Sequence, residues 1–270
     1  MNKIEVAVID TSGNAGEMMA FLARLTQRGH NIKCMDNLLE LMGKGASKPL
    51  IGAMANLPHG TIKRFCPITI AIVGASRRFL AQARTHQIGV NYVSASLQYS
   101  DYSGEADFVV PYSLMEADNK FKDEYKKHFY TPSEYYLKTC REAMDAYTLI
   151  ADETDNDTAG YAAPQGLRNI LIMQGNHQSW DYFIRTRGCN RNTVETQYVT
   201  MRIWEELLKT EFGEEFFGNS GADCMPGACR EGKMCCGVSM KPYINKAKEQ
   251  GISLPRLIIE DKWPLLKEVK

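Results

Sequence analysis

The chain has no apolar run near the roughly 18 residues needed to cross a bilayer. Its first residues, Met1-Asn2-Lys3-Ile4-Glu5-Val6, lack the unbroken apolar stretch of a secretory leader. Neither sign of charge is in excess: 32 Lys and Arg face 32 Asp and Glu. A dedicated nucleic-acid or membrane-surface binder needs a basic excess and is therefore not expected. A small anionic ligand remains compatible, because it needs only a few local cations. No Gly-x-Gly-x-x-Gly follows the first strand, no Gly-x-x-x-x-Gly-Lys-Ser/Thr occurs, and no Ser or His stands in a nucleophile-elbow context. Internal repeats and low-complexity segments are also missing. A cytoplasmic protein is expected, with its eight cysteines as reduced thiols or metal ligands, not disulfides.

What is present is ordinary in bulk: 270 residues, 44% apolar and 24% charged, enough for a proper core. Residues 4–10 alternate as a strand does. The stretch 14–27 has helical spacing through Met18, Met19, Phe21, Leu22 and Leu25, and 36–42 reads as a short helix. The β-branched run Ile68-Thr69-Ile70-Ala71-Ile72-Val73 predicts a strand ended by Gly74, and Ser76 predicts an N-cap for a helix to about Thr85. Residues 92–99 and 107–110 read as strands, 113–150 as one or two amphipathic helices, and 152–158 as an acidic connection. A strand is expected over 168–173, with helices over 179–187 and 192–212, then a Cys/Gly-rich loop over 219–237 and a basic, Pro-containing tail. Strands and helices interleave without a βαβ rhythm, which predicts an α+β fold, a mixed sheet flanked by helices. The expected division is residues 1–218 as the main domain and 219–270 as loop and tail.

Two stretches carry chemistry. The first holds Leu57-Pro58-His59-Gly60-Thr61, Gly74-Ala75-Ser76-Arg77, Gln82-Ala83-Arg84-Thr85-His86-Gln87, Ser96-Leu97-Gln98-Tyr99 and Asp107-Phe108-Val109-Val110-Pro111. The second holds Gly175-Asn176-His177-Gln178, Phe183, Arg187 and Cys189-Asn190-Arg191-Asn192-Thr193-Val194-Glu195-Thr196-Gln197. In order and spacing these segments, with the Cys-rich tail, resemble the flavin-dependent thymidylate synthases. That family carries Gly-x-Ser-Arg, a Gln before Arg-His-Arg, Ser-x-Arg-Tyr, Val-Val-Pro and Asn-Ala-Arg.

The resemblance implies a homotetramer with active sites at subunit interfaces. It implies FAD and dUMP as ligands, methylenetetrahydrofolate as carbon donor and NADPH as reductant, with no cysteine nucleophile. Carried over residue by residue, Gln82, Ser96, Gln98, Gln178, Arg187 and Arg202 would line the nucleotide site. Thr85, His86, Gln87, Ser94, Asn176 and Arg191 would line the flavin side. Several cations of the family are replaced. Thr85 and Gln87 stand for the arginines flanking His86, Gln98 and Gln178 for two more, Glu205 for a later helix Arg, and Phe65 for a His near the flavin. Arg holds a phosphate by charge-assisted, often bidentate bonds, whereas Gln neutralises no charge. An uncompensated swap therefore costs about 1–3 kcal/mol. Arg77, Arg78, Arg84, Arg191 and Arg202 are the nearby candidates to compensate, Arg202 lying about one turn before Glu205. Arg77 and Arg84 read equally well as a solvated helix face, and His86 as a structural histidine.

Three functional readings follow: methylation of dUMP, alkylation of a different pyrimidine nucleotide, or a non-catalytic homologue. Separately, Cys224-x4-Cys229-x5-Cys235-Cys236 lies among glycines. Four thiols in such a loop suit tetrahedral Zn²⁺, with Cys189 an alternative fourth ligand in place of Cys235 or Cys236; the candidate set is Cys189, Cys224, Cys229 and Cys236. Asp101 and Asp107 are read as turn or strand-edge residues, without an acid–base role.

Overall fold

The structure is a computed structural model that describes residues 1, 3–57, 60–104, 106–123, 127–225 and 229–266. Pro58 and His59 of the first motif and Gly227 of the Cys/Gly loop lie outside these residues. The elements are β1 (Glu5–Thr11), α1 (Ala15–Arg28), α2 (Met35–Met42), α3 (Lys48–Ala55), β2 (Ile68–Ser76), α4 (Arg77–Arg84), β3 (Val90–Ser94) and α5 (Tyr112–Glu116). They continue with β4 (Phe121–Lys122), β5 (Phe129–Tyr130), α6 (Pro132–Glu153), α7 (Asn156–Ala159), β6 (Arg168–Gly175), α8 (His177–Arg187), α9 (Val194–Leu208), α10 (Gly213–Phe217), α11 (Lys241–Gln250) and α12 (Leu254–Lys262). The fold is α+β.

Four antiparallel strands form the sheet, in the order β1-β2-β6-β3. The side-chain period of two divides it sharply. Ile70, Ile72, Leu171 and Met173 face inward and are fully buried against Trp180, Phe183, Ile184, Val199 and Ile203 of α8 and α9. Residue Gly74, at φ +81°, sits in the bulge of β2 between Val73 and Ala75, where its carbonyl accepts from Arg168 Nη1 at 2.6 Å. An L side chain is strained at that φ, and the bulge turns the strand end toward α4.

Ser76 caps α4 as expected, its Oγ accepting the Phe79 N–H at 3.0 Å. Elsewhere the elements differ from the sequence reading. Strand β3 stops at Ser94 because Ser96 turns the chain: its Oγ accepts from the Gln98 N–H at 3.1 Å and its carbonyl from the Ser100 N–H at 3.1 Å. Residues 107–110 give only a bridge between Phe108 and Leu167, since Asp107 is drawn to Arg168 (3.0 Å) and to the Phe108 N–H (2.8 Å). The helix read over 192–212 ends at Leu208, and Phe212, at φ +57°, starts α10. The C-terminal tail carries α11 and α12. Its Ile258, Ile259, Trp263 and Leu266 belong to the main core, with Trp263 edge-on to Tyr198 of α9 at 5.8 Å. Helix α6 packs with Leu97, Phe108 and Leu167 in a smaller cluster. No described helix is long and apolar enough to cross a membrane.

Candidate active site

The turn after α4 is laid along α8. Thr85 Oγ1 accepts from Arg187 Nη2 at 2.7 Å, at the C-terminal end of α8. His86 packs mid-helix, its ring 5.0 Å from Tyr182 and 5.1 Å from Phe183. Gly89 lies against Ser179 near the N-terminal end, where a Cβ on Gly89 would come within 2.2 Å of Ser179 Oγ. Only glycine allows this approach, and its φ of +70° also favours glycine. Tyr92 of β3 ties down the same turn by donating to the His86 carbonyl at 2.5 Å.

His86 is buried, and its Nε2 has no hydrogen-bond partner. Burial, and next the Arg187 cation, pull its pKa down to about 4. It is therefore a neutral imidazole at physiological pH. Arg187 also reaches Asn192 Oδ1 at 3.4 Å, while its Nε is buried and unpartnered. Gln82 completes the group. Its Oε1 accepts from Thr193 Oγ1 (2.8 Å) and Thr196 Oγ1 (2.7 Å) at the start of α9.

Gln82, Thr85, His86 and Arg187 are thus gathered where α4, α8 and α9 meet. Gln87 is exposed in the same turn. Ser94 is held by Arg84 Nη2, and Ser96 and Gln98 follow on the loop after β3. Asn176 caps α8, accepting from the Ser179 N–H and Oγ at 3.0 Å each. It stands with Gln178 at the opposite end of that eleven-residue helix from Arg187, about 15 Å away by helical rise. Arg191 is committed to the Cys-rich loop, donating to the carbonyls of Met234 (2.6 Å) and Cys235 (3.2 Å). Arg202 is held elsewhere, 3.6 Å from Glu205, whose other oxygen lies 4.0 Å from Arg256 of α12.

Three residues were missed by the sequence reading. Arg64 Nε donates to Gln178 Oε1 at 2.8 Å, which brings a cation to that glutamine. The 114-residue separation left no local signal. Glu195, in the first turn of α9, accepts from the Ser76 N–H (2.7 Å) and Oγ (2.5 Å) and lines a cavity of about 340 Å³ with Arg78 and Thr193. Burial holds its carboxyl above the usual carboxylate range despite those two donors. Its signal was its place within the second motif. Tyr182 offers an exposed ring beside His86.

Residues 7–211 match the family model described as "Thymidylate synthase complementing protein". The chain belongs to the flavin-dependent thymidylate synthase family. It is similar to the flavin-dependent thymidylate synthase of Geobacter sulfurreducens, 24% identical over 87% of this chain and 94% of that one. It is also similar to that of Clostridium tetani, 22% identical over 87% and 93%. Among solved structures, it shares its fold with thymidylate synthase X from Helicobacter pylori with FAD and dUMP (TM-score 0.53, 17% identity, 79% of this chain and 97% of that chain). It also shares it with the UMP/dUMP methylase PolB from Streptomyces cacaoi bound with 5-Br dUMP (TM-score 0.59, 14% identity, 79% and 93%).

Proposed function

We propose that this chain is a flavin-dependent methyltransferase that converts dUMP to dTMP, with methylenetetrahydrofolate as carbon donor and NADPH as reductant. Family membership supports the reaction class. The observation that carries the reading is the convergence of His86, Arg187 and Gln82. Two buried nitrogens there, His86 Nε2 and Arg187 Nε, have no partner in the protein. Burying an unpaired polar atom is costly, so such atoms point to a ligand.

The residues fit a flavin and a nucleotide. Neutral His86 and the exposed ring of Tyr182 suit an uncharged, planar ring system, and Arg187 suits an anionic group. The carbonyl oxygen of the Gln82 amide is engaged, which leaves its NH₂ to donate to a pyrimidine carbonyl. When bound, FAD would supply the hydride that completes the methyl group. The protein's own part is to position, to exclude water and to place charge. The open face of the sheet, described below, supports a homotetramer in which a neighbouring copy closes the site.

A second reading, a different pyrimidine nucleotide, rests on the neutral residues Gln87, Gln98 and Gln178 and the changed set of cations around them. Flavin absorbance together with tritium release from C5-labelled dUMP tests both. Bound FAD with release supports dUMP. Bound FAD without release, when the folate and NADPH are present, favours the other nucleotide. A chain that takes up no FAD is the non-catalytic homologue.

A further inference from the structure

Five of the eight cysteines line one cavity of about 210 Å³: Cys189 from the α8–α9 turn, and Cys224, Cys229, Cys235 and Cys236 from the following loop. Nothing in the proposed methyl transfer uses them. Among the described residues no group of three or more His, Cys, Asp or Glu is placed ready to hold a metal ion. The thiols ring the space from separate segments, with polar groups among them. Asn190 Nδ2 donates to Cys236 Sγ at 3.7 Å. The Asn190 amide is oriented by its oxygen, which accepts from Gln197 Nε2 at 2.6 Å and from Lys262 Nζ, so that its NH₂ must face the sulfur. The Lys262 ammonium lies within electrostatic reach of Cys236, Cys189 and Cys224, and Arg185 and Arg230 stand in the cavity wall. N–H donors to sulfur and compensating cations are the outer-shell features of a metal–thiolate site.

We propose that Cys189, Cys224, Cys229 and Cys236 bind one zinc ion, which draws these four thiols inward as thiolates and releases their protons to solvent. Each of the four is half-buried, whereas Cys235 is exposed and stays outside the set. Zinc suits the donors: four thiolates give a closed tetrahedral site with no open position, hence a structural one. The ion would fasten the loop to the α8–α9 turn, next to Arg187 and Arg191. That places the metal beside the candidate active site without a part in its chemistry.

The test is metal analysis of the full chain, purified reduced and without chelator. About one zinc per chain is expected, and cobalt in its place should show the thiolate charge-transfer and tetrahedral ligand-field bands. Cys224→Ser and Cys236→Ser should lose the metal, while Cys34→Ser and Cys235→Ser keep it. If the ligand variants fail to fold, Asn190→Ala retains all four thiols and should weaken metal affinity by about 10–100-fold in chelator competition. A folded chain that holds no zinc, gives no cobalt bands and exposes all its thiols to a thiol reagent would overturn the site, as would iron with acid-labile sulfide. Flavin content plays no part in these readouts, so they stand apart from the proposed methyl transfer.

Discussion

The Arg64 guanidinium meets Gln178 from far along the chain, and both groups sit beside the N-terminus of α8. Arg64→Gln should raise the nucleotide KM about tenfold, the equivalent of roughly 1.4 kcal/mol, with kcat and Tm nearly unchanged because Arg64 is exposed. A fall in Tm without a change in KM would make Arg64 merely structural. Burial pulls His177 down to about 4, as it does His86, and packs its ring 4.6 Å from Phe216 and 5.5 Å from Phe217. An unfolded histidine titrates near 6.5, so the folded state resists protonation. Stability is then full above about pH 6.5 and declines as pH falls toward 4, by about 3 kcal/mol from His177 if its shift is fully expressed. Urea midpoints measured across that window should fall with pH in the parent chain, and His177→Phe should flatten the decline.

At the scale of elements, the C-terminal helices decide how the core is closed. Trp263 is 4% exposed, and with Ile258 and Ile259 it covers one side of α9. Trp263→Ala should cost about 3–5 kcal/mol, read as a lower urea midpoint. An unchanged midpoint would mean that α12 is a dispensable attachment. The sequence was read there only as a basic, Pro-containing tail, whereas Pro242 and Pro255 each lie in the first turn of a helix, a position proline favours. Strand β2 and its Ser76 cap were legible because a β-branched run followed by a capping residue is a purely local signal. Part of the candidate site was legible for a similar reason: Gln82, Thr85 and His86 fall within five residues, and Arg187 ends a helix whose length fixes its place. The Arg64–Gln178 contact was not, since it depends on tertiary packing. Helix spacing did place Arg202 beside Glu205, but it could not show that Arg256 on α12 meets the same carboxylate.

For the whole molecule, the outer face of the sheet is the decisive feature. Along one rung, Ala7, Ala71, Ile172 and Val93 lie side by side across all four strands, and Val73 pairs with Ile170 on the next. Val93 is 69% exposed, and Val73 and Ile170 are more than 40% exposed. Exposed apolar side chains on neighbouring strands are open to cover by another surface, and in the proposed homotetramer a second copy would take that place. The residue loops beside it repeat the pattern. Ile88, in the turn after His86, and Tyr99, after Gln98, are large apolar side chains left in solvent. A second copy packed here would cover both. A charge planted in such an interface is unpaired and desolvated, whereas on a monomer's surface it is nearly neutral. Val93→Glu should therefore shift the mass by light scattering from an oligomer to a monomer, with the circular dichroism spectrum kept and flavin binding lost. A variant that keeps both the parental mass and its flavin would show that this face is not where the copies meet, and that one chain builds its site alone.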